Sequence, residues 1–385
     1  MHDDQLYLQV WLDHPTQIDV PLFRALVTEP RICLQVMYCV PSGRELLPVD
    51  PEVGALPGWN PDLMEGYSHL IIPATFQAGF KSVLKYGEES ARYLAVIQGT
   101  NNPAFRGALA GCWIKRRKFL IRYDATIKYL TAISWRDRLK NILLPLIFKN
   151  TTYLGYTGVW AKEYLIYFGS KEDQLIWYPY TVDNDWLFAH SQTAREGRHE
   201  FLRALNIAPA SVVFLVVAKF APREAPLDVI RAFCEAEMIG ADLIVIGDGP
   251  QRQEIEAYLA QAANPHIHLL GYLPYDQLPK YYGIADVFIH PAHVECWGVS
   301  VNEAMACGLP VLAADTVGAA ADLVEEGVNG YCYPHGDTVA LGDLMRQCVS
   351  KRERLPQMGQ VSHRKIVAWG PRETASRLTT WALDI

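Results

Sequence analysis

The sequence predicts an α/β protein built from two doubly wound units in tandem. Three observations lead there. The 385 residues exceed the roughly 100–200 residues of an ordinary domain. Short apolar runs of strand length alternate with helix-compatible stretches, in two series separated by a polar interval. In the second series, strands stop at glycine-rich or charged turns, where doubly wound sheets hold ligands.

The elements follow in chain order. Residues 7–12 read as a first strand, 21–26 as a short helix and 33–38 as a second strand. Further buried-strand runs are 70–72, 93–97 and 119–121, with helical patterns between them, so parallel βαβ units are expected. The stretch 183–198 is polar and without periodicity, so the seam is placed near 190, within about ten residues. Residues 1–190 form the expected first unit and 191–367 the second. The last stretch, 368–385, is expected to return to the first as a helix. The second series is cleaner: strands at 212–217, 243–246, 267–270, 287–289 and 311–313, with an amphipathic helix at 227–237.

Composition excludes several classes. Half the residues are hydrophobic and 20% are charged, which is ordinary for a soluble globular protein. A net charge of −7 makes nucleic acid a poor partner. None of the eight cysteines forms a C-x-x-C pair, which argues against zinc or a redox centre. Settings such as Met305-Ala306-Cys307 suit a small apolar thiol in a reducing compartment. Met1-His2-Asp3-Asp4 does not resemble a signal peptide. The apolar run 142–148 is far short of the ~20 residues that span a bilayer. A cytoplasmic protein is expected. The basic run Lys115-Arg116-Arg117-Lys118, with Arg136, Arg138 and Lys140 beside Trp135, makes peripheral contact with the inner membrane face a candidate. The favoured reading of this region is a solvated face on a buried helix.

The most informative stretch is His290-Pro291-Ala292-His293-Val294-Glu295-Cys296-Trp297-Gly298-Val299-Ser300-Val301-Asn302-Glu303-Ala304-Met305-Ala306-Cys307-Gly308. Two glutamates stand eight positions apart around a glycine at the start of a helix, which should run over 299–306 and stop at Gly308. The first N–H groups of a helix lack intrahelical partners and its dipole is positive there, which suits a diphosphate. Gly298 permits close backbone approach. A carboxylate one turn into the helix, Glu303, can accept hydrogen bonds from ribose hydroxyls. Ser300-Val301-Asn302-Glu303 is also a capping-box sequence, and Glu303 could instead bond the backbone of Ser300. His290 and His293 have no partner at metal-ligand spacing, so no metal is expected.

This segment resembles the donor site of the retaining family 4 glycosyltransferases, which carry the GT-B fold and an Glu-x7-Glu motif. The resemblance continues through Lys219-Phe220-Ala221-Pro222-Arg223, Gly247-Asp248-Gly249-Pro250, Leu278-Pro279-Lys280-Tyr281-Tyr282 and Gly327-Val328-Asn329-Gly330. It implies two Rossmann-like domains facing a central cleft, and transfer of a sugar from a UDP- or GDP-linked donor to a glycan or lipid-linked acceptor. The anomeric configuration would be kept, with no metal and no further cofactor. By position, Glu303 would bind the ribose and Glu295 would lie near the transferred sugar. Gly298, Val299 and Ser300 would offer N–H groups to the diphosphate, and Lys219 would neutralise it. Gly271, Tyr272 and Leu273 would form the wall beside the base. In the first unit, His14 and Asp124 are candidates for the acceptor or sugar side.

Two positions depart from that pattern. The loop after the first strand, Asp13-His14-Pro15-Thr16, lacks the paired glycines many relatives use near phosphate. Five residues after Lys219, where relatives commonly carry lysine, stands Glu224. Either Arg223 takes over, or Glu224 turns away, or the protein is a weak or inactive glycosyltransferase-like binder of a nucleotide or partner. A sugar-nucleotide epimerase of the same fold is a further alternative, but it needs an acid/base pair that the sequence does not offer.

Overall fold

A computed structural model of the chain describes residues 5–41, 46, 61–86, 92–129 and 135–385, except for the side chains of 61, 62, 86, 129 and 135–140. The chain divides into two units at Val182/Asp183, and Trp369–Ile385 joins the first.

The first unit holds strands β1 (Leu6–Leu12), β2 (Ile32–Val40), β3 (His69–Pro73), β4 (Arg92–Gln98), β5 (Lys118–Arg122), β6 (Tyr153–Tyr156) and β7 (Leu175–Trp177). They form one parallel sheet in the order β3-β2-β1-β4-β5-β6-β7. All seven residues of β1 are buried, because a central parallel strand is covered on both faces. Its one polar member, Gln9, accepts a hydrogen bond from the Tyr93 hydroxyl at 2.6 Å. Trp11, Met37, Phe105, Phe119 and Phe148 anchor the core. The final helix, Pro371–Asp384, packs on this unit, and Trp381 meets Tyr153 edge-on at 4.9 Å.

The second unit holds β8 (Val212–Val217), β9 (Ala241–Ile246), β10 (Ile267–Gly271), β11 (Val287–His290), β12 (Val311–Ala314) and β13 (Gly330–Tyr333). Their order is β10-β9-β8-β11-β12-β13, again parallel. Each unit is therefore a doubly wound Rossmann-like sheet whose strand order reverses once, between β1 and β4 in the first and between β8 and β11 in the second. Ligands bind beyond the carboxyl ends of strands at such a reversal.

Three expectations change. The stretch read as lacking periodicity is largely a helix, Asn184–Glu196, while the division at Val182/Asp183 falls within ten residues of 190. Its buried stripe is Asn184, Leu187, Ser191 and Ala194. Two polar residues in that stripe hide the period. Gly283 of a neighbouring helix comes so close to this stripe that a Cβ on it would lie 2.3 Å from the Ser191 carbonyl oxygen. The strands β6, β7 and β13 are additional: each has only three or four residues and half-buried or exposed positions among them, unlike the fully buried β11 and β12, so none reads as a buried apolar run. The run 142–148 belongs to the helix Trp135–Lys149, which is not buried: Leu144 and Phe148 face the core, but Ile142, Leu143 and Leu146 are exposed. Arg136, Arg138, Lys140 and Trp135 have side chains outside the described residues.

Candidate functional site

The site is built at the strand reversal of the second unit. β8 is wholly apolar through Val216, and the chain then leaves the sheet through Ala218, Lys219 and Phe220. The turn after β9, Gly247-Asp248-Gly249-Pro250, braces this exit. The Phe220 N–H donates to the Asp248 carbonyl at 2.9 Å, and the Gln251 N–H to the Phe220 carbonyl at 2.8 Å. A Cβ on Gly247 would lie 1.8 Å from the Ala218 carbonyl oxygen, so only glycine allows this approach. The Asp248 side chain pairs with Arg252 at 2.7 Å, consistent with a supporting role for that turn.

Lys219 is half-buried. Arg223 follows, and its Nη1 lies 3.0 Å from Glu224 Oε1. Glu224 does not turn to solvent: its side chain is only 10% exposed, against 44% for Arg223. The Arg223 carbonyl accepts from the N–H groups of His293, at 2.8 Å, and Val294, at 3.3 Å. These bonds join the loop after β8 to the loop after β11, which carries Glu295. Burial raises the Glu295 carboxyl above its ordinary pKa. The Trp297 N–H, 3.2 Å from Oε1, acts against that, as do Arg223, the Cys296 N–H and Lys219. Lys219, Arg223 and Glu295 therefore share one electrostatic neighbourhood.

The helix Val299–Ala306 begins directly after this loop, as the spacing predicts. Gly298 is its N-cap, with φ 96° and ψ 70°, and no side chain caps the helix. A Cβ at Gly298 would sit 2.7 Å from His290 Nε2 and 3.0 Å from Val317 Cγ1. Glycine is thus demanded by both the backbone angle and the packing. In the first turn, the N–H groups of Val299 and Ser300 have no helical carbonyl to bond. Trp297 fixes the approach to the helix by donating its indole N–H to Asn302 Oδ1 at 2.9 Å.

Glu303 does not form the capping box. It is 7% exposed, and its Oε2 accepts a 2.8 Å hydrogen bond from the Tyr282 hydroxyl. Burial pushes its carboxyl up to about 7, and the Tyr282 bond moderates the rise. Tyr275 is half-buried within reach of the Glu303 charge and stacks on Trp186, with ring centroids 5.6 Å apart. Tyr282, Tyr275 and Trp297 were given no role from the sequence. The signal available was the tyrosine pair in Leu278-Pro279-Lys280-Tyr281-Tyr282. Gly271, Tyr272 and Leu273 lie at the end of β10, where Gly271 has φ +74° and accepts from the Gly247 N–H at 2.9 Å.

His290 is buried, its Nε2 has no partner, and burial pushes its pKa down to about 4. His293 bonds Asp228 at 2.6 Å. Among the described residues, no group of three or more His, Cys, Asp or Glu could hold a metal ion.

The first unit carries its own candidates. His14 follows β1, and burial lowers its pKa against the opposing pull of Asp13 and Asp19. Asp124 is exposed and accepts from the Tyr180 hydroxyl at 2.8 Å. Nearby, the buried Arg122 pairs with Asp19 at 3.1 Å and lies 4.2 Å from the Tyr180 ring centroid.

Comparison with known proteins agrees with this geometry. Residues 197–364 match the family model of glycosyl transferases group 1. Among curated relatives, the 2-deoxystreptamine N-acetyl-D-glucosaminyltransferase of Streptomyces fradiae is 32% identical over 180 residues, covering 46% of this chain and 41% of that protein. The D-inositol 3-phosphate glycosyltransferase of Nocardia farcinica is 31% identical over 190 residues, covering 46% and 42%. These alignments thus span less than half of each relative. HepE of Anabaena, solved with UDP and glucose, superposes with a TM-score of 0.74 at 16% identity, covering 99% of this chain and 100% of that one. A glycosyltransferase of Rickettsia africae gives 0.76 at 13% identity, covering 99% and 98%. The fold is GT-B, two parallel-sheet Rossmann-like domains, and the stretch that matches the family model lies in the second. Among the described residues, no helix is long and apolar enough to cross a membrane.

Proposed function

We propose that the protein is a retaining, metal-independent glycosyltransferase of the family 4 type that moves a sugar from a nucleotide-sugar donor to a glycan or lipid-linked acceptor. One observation carries the reading. At the strand reversal of the second unit, two cations and Glu295 adjoin an uncapped helix N-terminus, and Glu303 is buried inside that helix. The N–H groups of Gly298, Val299 and Ser300 take the diphosphate. Glu303 uses Oε1 for the ribose while Tyr282 holds Oε2. Glu295 orients the transferred sugar. As the bond between the anomeric carbon and the phosphate oxygen breaks, negative charge grows on the diphosphate. Lys219, Arg223 and the helix dipole stabilise that charge without a metal. The bond to the acceptor hydroxyl forms on the same face, and the hydroxyl proton leaves with the departing diphosphate. UDP- and GDP-linked donors both fit this chemistry, and the base stacks by Gly271, Tyr272 and Leu273. His14 and Asp124 belong to the acceptor side. The exposed Ile142, Leu143 and Leu146 support peripheral membrane contact from a cytoplasmic location.

A thermal-shift screen with UDP, GDP and ADP and their sugars tests the donor class, since a ligand of the folded state raises its melting temperature. Product stereochemistry then tests retention. A protein that is stabilised by none of these ligands does not have this function. Glu224, buried beside Arg223, supports a second reading in which the protein binds a nucleotide sugar with little turnover. Strong thermal stabilisation without transfer or donor hydrolysis would select it.

A further inference from the structure

The amino ends of the first unit's strands form a second cationic centre. A cavity of about 370 Å³ is lined by Arg92, Lys115, Arg116, Arg117 and Lys118, with Leu6, Tyr93, Ala382 and Ile385 completing its wall. Arg92 begins β4 and Lys118 begins β5. In a parallel sheet, this is the opposite end from the loops that carry His14 and Asp124.

Several contacts hold these charges in place. Arg117 lies over the Tyr93 ring, 4.5 Å from its centroid, a contact that orients the guanidinium without cancelling its charge. Arg92 donates to the Leu383 carbonyl and Lys118 to the main-chain oxygen of Ile385. The helix Pro103–Ile114 ends in a tight turn, with the Arg117 N–H bonded to the Cys112 carbonyl at 2.8 Å. Within that turn Arg116 has φ 51°, the left-handed position where helices usually place glycine. A cation therefore stands where glycine would relieve strain. Like charges gathered around one hollow repel, and a bound anion offsets that repulsion.

We infer that this cavity binds a phosphate-bearing ligand, with Arg116 and Arg117 as its main contacts. The chemistry suits either a free phosphorylated compound or a phosphate headgroup of a lipid. Trp113 and Ile114, 53% and 67% exposed, immediately precede the basic run and give the lipid source its apolar contact. The site is independent of the donor site.

The test uses the full chain carrying Lys219→Ala, so that pyrophosphate binding at the donor site is weakened. One arm titrates inorganic pyrophosphate by calorimetry. The other measures cosedimentation with phosphatidic acid vesicles against phosphatidylcholine vesicles. Arg116→Gly and Arg117→Gln are then added singly. Loss of a charge-assisted hydrogen bond should weaken binding about tenfold. Arg116→Gly should at the same time leave the melting temperature unchanged or higher, because it removes strain. Pyrophosphate binding that falls in the variants identifies a free phosphate ligand. Vesicle binding specific to phosphatidic acid, without pyrophosphate binding, identifies the headgroup. Absence of both, or binding untouched by either substitution, overturns the inference.

Discussion

Glu303 should make nucleotide-sugar binding and fold stability respond to pH in opposite directions. Its carboxyl is raised from 4.5 to about 7 by burial. A carboxyl whose folded pKa is raised contributes most stability below its unfolded pKa and loses it as pH rises through the folded one. The window is therefore about pH 4.5 to 7 and just above. A rise of 2 to 3 units at 1.36 kcal/mol each gives a loss on the order of 3 kcal/mol for the ligand-free protein. Binding has the opposite sign if the ribose hydroxyls donate to ionised Glu303. With a pKa near 7, about a tenth of the molecules are ionised at pH 6 and about nine-tenths at pH 8, so affinity should rise nearly tenfold. A nucleotide sugar is the right probe, because a free diphosphate has a phosphate group titrating near pH 6 that would confuse the slope. The assay is calorimetric titration at pH 6, 7 and 8, beside ligand-free melting over the same range. Glu303→Gln should flatten both profiles and weaken binding by roughly 1.5–3 kcal/mol at pH 8. If Glu303→Gln keeps the wild-type slope in binding, the carboxylate does not hold the ribose.

Three further outcomes are expected. Glu224→Gln should strengthen nucleotide-sugar binding a few-fold by releasing Arg223 from its 3.0 Å ion pair, whereas Arg223→Ala should weaken binding and cost about 1–3 kcal/mol of stability by taking that cation from the buried Glu224. Unchanged affinity in both variants would mean that this loop does not face the diphosphate. Gly298→Ala should lower the melting temperature by several degrees, since about 1–2 kcal/mol of left-handed strain adds to a Cβ 2.7 Å from His290 Nε2; a melting curve like that of wild type would refute the packing argument. Transfer activity should survive excess chelator, and activity lost to chelation but restored by magnesium or manganese would overturn metal independence.

The sequence by itself determined the two series of strands, because parallel strands covered on both faces must be nearly continuous apolar runs, as in Val212–Val217. It also determined the helix Val299–Ala306 and the glycine before it, because strand, turn and helix are local there and only glycine tolerates the angle. Local pattern failed where polar residues filled a buried stripe, as in Asn184–Glu196, and where a short strand is only half-buried, as in Leu175–Trp177. Tertiary structure alone decided the sheet orders, the burial of Glu224 against Arg223 and the partner of Glu303. Spacing made a Ser300 cap and a ligand contact equally available to Glu303. The choice fell to Tyr282, 21 residues away, and to the desolvation around it. A side chain's charge and pairing depend on which atoms exclude water from it, and those atoms come from strands and helices brought together only by the fold.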